Sequence, residues 1–463
     1  MPDSTRSFLA SKLTADFQQS AGKAVRSKVP FEDLLIIKKQ FKRPNPIKII
    51  TDQNATRIKK LVPVRHARMA QSPFAFFRGS AAIMAADLNR QPNTGILVQA
   101  CGDMHVSNFG LFASAERQLT FAINYFDETH IAPWEWDVKR LTASAHIASE
   151  HLGGKQNDRD ETVLQCVLSY QKWIRHYAKM GHLDIWYDTI GEEEILSSLT
   201  ANAAGLAKKA FEKARQRNHL QVLEKFGDMV DDKFLLKENY PFLYHDPVTV
   251  NNTPVLSLLD EFLKQYLSSL PLERRGLLSR YTFRDVVRKV VGVGSVGTAC
   301  WVLFFEGTGH EDPLFLQLKE ARQSVLEPFT QPCTYTNQGQ RVVTGQRLIQ
   351  GSPDIFLGFG HLENTDFYVR QLRDMKGGFD LEPGKMSVRQ LQKYAALCGH
   401  ALALAHAKSG NAPIMAGYLG KSEKFAEVMV SYAADYARQN QADYEAFLSA
   451  IKNGKLAIAE KAR

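Results

Sequence analysis

An aspartate and an asparagine five positions apart stand in the segment GDMHVSN, residues 102–108. The segment follows a short apolar run, residues 95–100, which predicts a buried strand. In phosphotransferase catalytic loops, such an aspartate accepts the proton of the attacking hydroxyl and such an asparagine binds Mg²⁺. The spacing thus indicates Asp103 as a general base and Asn108 as a metal ligand. A polar turn in which both side chains cap backbone groups is an equally good interpretation of this segment alone.

A second acidic segment, residues 123–128 (INYFDE), ends a predicted strand over residues 119–125. Carboxylate oxygens suit Mg²⁺, which binds one or two carboxylates and leaves room for phosphate oxygens. Asp127 is therefore a candidate metal ligand, with an exposed turn carboxylate as the alternative. Further along, Asp137 is predicted to cap the helix that follows it and to anchor the catalytic loop.

Three glycines follow the pattern G-x-G-x-x-G within residues 290–298 (VVGVGSVGT). A dinucleotide-binding fingerprint requires a helix directly after the glycines. Here the next run, ACWVLFF, is aromatic and β-branched, so it predicts a strand. A glycine turn between two strands is the flap that covers the phosphates in kinases, because glycine lets backbone N–H groups approach them closely. The predicted nucleotide-binding residues of this turn are Gly292, Gly294, Ser295 and Gly297.

Lys319 ends the next predicted strand, where kinases carry the lysine that binds the α- and β-phosphates. An exposed surface lysine is the alternative, and Glu320 and Glu327 are both candidate partners. Residues 367–372 then predict a hinge strand that would place Gln371 against the nucleotide. In ordinary kinases the flap, lysine and hinge precede the catalytic and metal loops. Here they follow those loops, so the sequence predicts a circularly permuted kinase-like fold.

Composition and charge limit the classes of protein that fit. The chain has 463 residues, 44% of them hydrophobic, with a formal net charge of +9. This excludes fibrous and largely disordered proteins and permits a polyanion-binding surface without requiring one. The five cysteines are scattered without a CxxC pair, which fits a reducing compartment. Because neither a signal peptide nor an apolar run of about 20 residues is present, we expect a cytoplasmic protein without membrane contact or a specific nucleic-acid partner.

The predicted elements that position these residues form an α+β protein with two lobes. Residues 1–94 are expected to form an N-terminal helical extension, and residues 95–280 a helical lobe that carries the catalytic and metal loops. A β-rich, nucleotide-binding lobe is expected over residues 281–375, where residues 341–343 are among the predicted strands. Helices over residues 376–463 would complete the helical lobe.

Several segments resemble the family known as domain of unknown function 2252 over about residues 60–450, among them SPFAFFRGSAAIMAADL, GDMHVSNFG, VGVGSVGT and LCGHALALAHAKSG. The motif set is also similar to those of protein kinases and aminoglycoside phosphotransferases, which implies the same roles for Asp103, Asn108, the glycine turn and Lys319. One position departs from the family pattern, Asn-Asp-Phe-Asp-Glu. Tyr125 stands where the family has the aspartate that aligns best with the metal-binding aspartate of kinases, so either Asp127 is the ligand or the protein is catalytically weakened.

Three functions are compatible with these residues. The leading hypothesis is transfer of a phosphoryl group from ATP, with Mg²⁺, to a hydroxyl of a small molecule or protein. The second is a metallohydrolase that uses Asp103, His105, Asp127 and His130. The third is a nucleotide-binding protein without turnover. Arg78 is expected to form a structural ion pair rather than to hold an anionic substrate group, and His406 is expected to be a core residue.

Overall fold

A computed structural model describes residues 13–35, 42–197, 201–216, 223, 227–230, 233–245, 255–290, 292–309, 312–372 and 377–460. The α-helices are α1 Ala15–Lys28, α2 Pro46–Ala55, α3 Val62–Met69, α4 Pro73–Gly79, α5 Ala81–Leu88, α6 Trp134–His151, α7 Gln156–Tyr177, α8 His182–Tyr187, α9 Glu192–Ser197, α10 Ala201–Gln216, α11 Val255–Ser268, α12 Leu272–Leu278, α13 Gln338–Ile349, α14 Val388–Ser409, α15 Ala412–Leu419 and α16 Lys424–Lys452. Within these described ranges, none of the helices combines the length and apolar character needed to span a bilayer.

The strands form antiparallel sheets of two to six strands. They are β1 Leu97–Ala100, β2 Phe109–Ala113, β3 Leu119–Ile123, β4 His130–Pro133, β5 Ile190–Gly191, β6 Gly227–Val230, β7 Lys233–Leu236, β8 Leu243–Tyr244, β9 Thr282–Lys289, β10 Cys300–Glu306, β11 Pro313–Glu320, β12 Gly358–Leu362 and β13 Thr365–Gln371. The largest sheet has the order β12-β13-β11-β10-β9-β8. The α+β class predicted from the sequence is thereby confirmed.

The six-stranded sheet separates its side chains onto two faces, because successive residues of a strand point to opposite sides. Trp301, Leu303 and Phe305 of β10 pack in one apolar cluster with Phe262 and Tyr266 of α11. Val302 and Phe304 point the other way and pack in a second cluster. Lys319 of β11 lies opposite Cys300 of β10 and Tyr368 of β13 in the strand register. The lysine therefore projects from the face that α11 does not cover.

The helical part is built around α7 and α14, which cross at close range. Gly399 of α14 lies against the backbone of α7, where a methyl group would overlap the carbonyl oxygen of Cys166. Both helices are buried over much of their length, with Tyr170 and His406 among the residues that meet between them. A residue without a side chain is needed at this crossing, since interiors are close-packed and leave no room for an added group.

Two features of the β-rich region differ from the sequence expectation. Residues 341–343 lie within helix α13, not in a strand, because Asn337 caps a helix whose buried residues Val342, Gln346 and Ile349 recur at helical spacing. A run of three residues is too short to show this period. The sheet also recruits residues before position 281: β8 pairs with β9, and α11 packs on the sheet.

The α7–α14 crossing generates a stability prediction. Gly399→Ala is expected to lower the free energy of unfolding by about 1–3 kcal/mol, because the added methyl group forces the two helices apart. Gly276→Ala is the matched control, since Gly276 lies in helix α12 with open space around it. That change is expected to stabilise the protein by roughly 0.5–1 kcal/mol through helix propensity. Urea denaturation measures both, and stabilisation by Gly399→Ala would contradict the packing described.

Candidate functional site

A cavity of about 160 Å³ lies between the glycine turn after β9 and the loops that follow β1 and β3. Its wall includes Asp103, Asn108 and Asp127, and also Gly292, Gly294 and Ser295 of the turn. Gly297 belongs to the same turn and has a φ of +88°, a conformation that favours glycine. The two groups of predicted residues are therefore brought together, although they are far apart in the chain.

Asp137 holds the loop after β1 in place through hydrogen bonds to the loop backbone. Its carboxylate accepts hydrogen bonds from the backbone N–H groups of Cys101 at 2.6 Å and of Gly102 at 3.0 Å. Asp137 lies within the first turn of α6, whose N-cap is Pro133, so the predicted capping role is wrong and the anchoring role describes its contacts. His406 lies 3.4 Å from Asp137 and hydrogen-bonds to Tyr170, and it is fully buried, as expected.

Arg140 fixes the orientation of Asp103. One carboxylate oxygen, Oδ1, accepts hydrogen bonds from Nε of Arg140 at 3.0 Å and from Nη2 at 2.6 Å. Burial raises the pKa of Asp103 above its ordinary value, although the positive charge of Arg140 opposes this rise. Arg140 binds only Oδ1. The other carboxylate oxygen, Oδ2, lies 3.8 Å from Nε2 of His105. Because Arg140 does not occupy Oδ2, this oxygen could accept a proton from a substrate.

Asn108 closes the same loop. Its amide nitrogen donates a hydrogen bond to the backbone carbonyl of Asp103. Upstream, Val106 N–H donates to Ser144 Oγ of α6 at 3.0 Å. The amide nitrogen of Asn108 only donates hydrogen bonds, whereas its amide oxygen has lone pairs. A metal ion would therefore be bound by the amide oxygen.

Lys319 and Asp127 form an ion pair beside the cavity: Asp127 is part of the cavity wall, whereas Lys319 is buried and is not part of it. Nζ of Lys319 lies 2.8 and 2.9 Å from the two carboxylate oxygens, and Tyr368 donates a hydrogen bond to Oδ1 at 2.7 Å. Burial alone would lower the pKa of Lys319, but the charge of Asp127 outweighs it and raises that pKa. Burial would likewise raise the pKa of Asp127, but Lys319 and Tyr368 lower it. Both groups are therefore charged.

The ion pair with Asp127 differs from two expectations for Lys319, which concern its exposure and its partner. The side chain is 2% exposed, so the surface-lysine interpretation is wrong. Neither candidate glutamate is its partner: Glu320 pairs with Arg322, and Glu327 accepts the N–H of Cys333. The partner is Asp127, which the sequence analysis had assigned to a metal ion.

Two arginines that hold the loops were not identified from the sequence. Arg341 of α13 donates hydrogen bonds to the backbone carbonyls of Asp127 at 2.9 Å and of Arg322 at 2.7 Å. No sequence signal pointed to it, because its helix was taken for a strand. Arg140 could have been found, since it lies three positions after Asp137 and therefore on the same face of a predicted helix.

Gln371 is not brought to this cavity. It lines a second cavity of about 340 Å³, and its backbone N–H donates to the carboxylate of Asp354. Tyr125 of the first cavity lies close to Arg370 of the second, with 5.5 Å between its ring centre and the guanidinium. Arg370 also lines the second cavity and bonds to the carbonyl of Asn124 at 3.2 Å.

Three residues of the metallohydrolase hypothesis, Asp103, His105 and Asp127, line the cavity, whereas His130 does not. Among the residues that the structure describes, the group whose ligand atoms lie within 4.8 Å of one another is His130, Glu327 and Cys333. His130 Nε2 donates a hydrogen bond to the carbonyl of Gln331 at 2.8 Å. His105 is buried, and burial lowers its pKa well below the ordinary value.

The donor set at the cavity fits Mg²⁺ better than a transition metal. Asn108 offers an amide oxygen and Asp127 a carboxylate, which are hard ligands of the kind that Mg²⁺ combines with phosphate oxygens. Tyr125 is 39% exposed and lines the same cavity, where it offers a phenol oxygen and not a carboxylate.

Comparison with known proteins identifies the family. The model described as "Uncharacterized protein conserved in bacteria (DUF2252)" matches residues 57–450. The chain belongs to this family. The match to DUF2252 spans every residue named above in the cavity wall, and it confirms the resemblance predicted from the sequence motifs. No curated protein and no solved structure is similar enough to this chain to count as a match.

Glu128 yields a pH prediction. Burial raises its pKa from 4.5 to about 7, while its Oε2 accepts the N–H of Val325 at 2.8 Å. The folded state therefore binds this proton more tightly than the unfolded state, so the wild type loses stability as the pH rises through about 7. Glu128→Gln keeps the hydrogen-bond acceptor without the charge and is expected to be more stable by about 3 kcal/mol above pH 7, with no gain near pH 4.5.

Thermal unfolding of wild type and Glu128→Gln across this pH range measures the difference. Glu445→Gln, an exposed change on α16, serves as the control. A difference between wild type and Glu128→Gln that does not vary with pH would contradict a buried carboxyl group at this position.

Proposed function

We propose that this protein transfers the terminal phosphoryl group of ATP, with Mg²⁺, to a hydroxyl group of a small molecule or protein. The observation that carries the proposal is the shared cavity. A glycine turn between two strands and an Asp-x₄-Asn loop meet there, and Asp127 of the cavity wall pairs with the buried Lys319, 192 positions away in the chain. Each of these parts has a defined task in phosphoryl transfer, and together they are more specific than any one alone.

The order of elements supports a permuted kinase-like arrangement with two lobes. Strands β9 and β10 flank the glycine turn, β11 carries Lys319, and α13 comes next in the chain before β12 and β13. In kinases a long helix then leads into the catalytic loop. Here that helix is α14, and its Ser409 Oγ accepts a hydrogen bond at 3.3 Å from Gln99 N–H of β1, the strand that precedes the catalytic loop. A connection from α14 to β1 would therefore restore the usual chain order.

The geometry suggests a division of labour during transfer. Asp103, oriented by Arg140, would take the proton of the acceptor hydroxyl through its second oxygen. The hydroxyl oxygen would bond to the terminal phosphorus as the bond from phosphorus to the ADP oxygen breaks. Asn108 and Asp127 would hold Mg²⁺, which when bound neutralises charge on the phosphates. Lys319 would contact the phosphates while remaining paired with Asp127.

A nucleotide-binding role without turnover is the second candidate, and Tyr125 is the observation that favours it. An aromatic phenol replaces a carboxylate where the family pattern has its metal-binding aspartate. The ring is also engaged with Arg370. With Asp127 already paired to Lys319, the remaining oxygen ligands would hold Mg²⁺ weakly.

The role of Asp103 is tested by Asp103→Asn. The amide cannot accept the hydroxyl proton, so turnover of MgATP is expected to fall by roughly 10²–10⁴-fold while nucleotide binding is retained. ADP release measures turnover, with water as the acceptor in the absence of a known substrate, and the thermal shift with MgATP measures binding. Asp260→Asn on exposed α11 is the matched control. Unchanged turnover in Asp103→Asn would reject the base, and the absence of MgATP binding in wild type would reject the function.

The role of Tyr125 is tested by a gain of function. Tyr125→Asp restores the carboxylate of the family pattern, so Mg²⁺ affinity in the presence of ATP is expected to rise roughly tenfold or more, with a parallel rise in turnover. Tyr125→Phe keeps the ring beside Arg370 without adding a ligand and is the control. Equal Mg²⁺ dependence in the two variants would show that position 125 is not a ligand position.

A further inference from the structure

Three arginines from the segment before β1 reach the cavity between the glycine turn and the catalytic loop. Arg57 follows α2, Arg65 lies in α3 and Arg78 lies near the end of α4. None of them is part of the proposed phosphotransfer machinery. Each is a guanidinium group in the wall of a concave site.

Arg78 has no partner among the residues that the structure describes. No described residue accepts a hydrogen bond from its guanidinium, its Nε is buried and unpaired, and it forms no ion pair. Its guanidinium lies 5.9 Å from the centre of the Phe74 ring. The expected structural ion pair is therefore wrong. Arg78 is half-buried, and a cation withdrawn from water without a hydrogen-bond or ion-pair partner is costly, so its presence in the cavity wall calls for a ligand.

Arg57 and Arg65 are bonded only to neutral oxygens. Arg57 donates to the carbonyl of Val296 at 2.6 Å, and Arg65 donates to Asn54 at 2.7 Å and to the carbonyl of Gly79 at 3.0 Å. The Nε atoms of both arginines are buried and unpaired. Neither guanidinium contacts a carboxylate in the described parts of the chain.

The acidic residues of the cavity wall offset these charges only in part, because each is bonded directly to another group and not to one of the three arginines. Asp103 binds Arg140, Asp127 binds Lys319, Glu320 binds Arg322, and Glu128 accepts the N–H of Val325. Burial lowers the pKa of Arg57 to about 10 and also lowers the pKa values of Arg65 and Arg78. An anion bound among the three arginines would offset this cost.

The cluster lies where phosphoryl transfer would take place. A Cβ atom on Gly294 would come 3.2 Å from the carbonyl oxygen of Arg78, so the middle of the glycine turn rests on the end of α4. The turn is also fixed to the same segment by Ile58 N–H, which donates to the carbonyl of Gly297 at 2.8 Å. Arg78 is electrostatically coupled to Asp103 and Tyr125 on the other side of the cavity.

We propose that Arg57, Arg65 and Arg78 form a phosphate-binding site that the N-terminal segment contributes to the cavity, with Arg78 as its main contact. The planar guanidinium fork matches the oxygens of a phosphate group, and bidentate contacts of this kind are strong. The phosphate is either the terminal phosphate of a nucleotide or an anionic group on the acceptor substrate. The arginine site itself does not depend on the proposed function, but the assignment of the phosphate to the nucleotide or to the acceptor rests on it.

The site is tested by titrating the full chain with inorganic phosphate and measuring the binding by calorimetry, in a buffer that contains no other phosphate. Arg78→Gln is expected to weaken phosphate binding by about tenfold or more, which is the loss of a charge-assisted hydrogen bond. Because Arg78 has no described partner, this change is not expected to lower the melting temperature of the anion-free protein. Arg438→Gln, an exposed change on α16, is the matched control.

Equal phosphate affinity in wild type and Arg78→Gln would overturn the site, and so would the absence of phosphate binding by wild type. A drop in melting temperature of the anion-free Arg78→Gln variant would also overturn it, because Arg78 would then have a structural role.

Repeating the titration with a saturating, non-hydrolysable ATP analogue and Mg²⁺ identifies the source. Loss of phosphate binding assigns the site to the terminal phosphate of the nucleotide, whereas retained, Arg78-dependent binding assigns it to the acceptor. The two proposals fail separately. Phosphate binding that depends on Arg78, without any nucleotide binding, supports the arginine site and rejects the phosphotransferase. Turnover of MgATP together with phosphate binding that does not depend on Arg78 supports the phosphotransferase and rejects the arginine site.

Discussion

The ion pair between Lys319 and Asp127 is the interaction on which the arrangement of the cavity depends. It joins the middle of the six-stranded sheet to the loop after β3, and it does so at a site where the lysine is 2% exposed. A buried charge left without its partner costs about 3–5 kcal/mol, so the sheet and the loop are each stabilised by the presence of the other. The register of β10, β11 and β13 orients Lys319 towards the loop, and Arg341 holds the backbone of Asp127 from the opposite side.

A second set of buried polar contacts fixes the loop that contains Asp103 and Asn108 relative to the helices. Asp137 and Arg140, on one face of α6, hold the backbone before Asp103 and the carboxylate of Asp103 itself. His406 connects Asp137 to α14 and through Tyr170 to α7. The position of the proposed base therefore follows from the packing of three long helices. The glycine turn, by contrast, is held by the segment before β1, through Arg57 and Ile58.

Local signals in the sequence were sufficient to predict the parts of the cavity but not the contacts between them. Asp103, Asn108 and the glycine turn could be found because their spacing is fixed by short-range geometry. The partner of Lys319 could not be found, since it lies 192 positions away and its carboxylate suits a metal ion equally well. Arg341 was missed because three residues do not reveal a helical period. The missing partner of Arg78 is likewise a property of the tertiary structure.

The most direct test of this account is a crystal structure of the protein with a non-hydrolysable ATP analogue and Mg²⁺. The account predicts that the phosphates lie between the glycine turn and the Asp103–Asn108 loop, with Lys319 in contact with them and the terminal phosphate directed towards Asp103. A nucleotide bound outside this cavity, or crystals and solutions of the protein that take up no nucleotide at all, would contradict it.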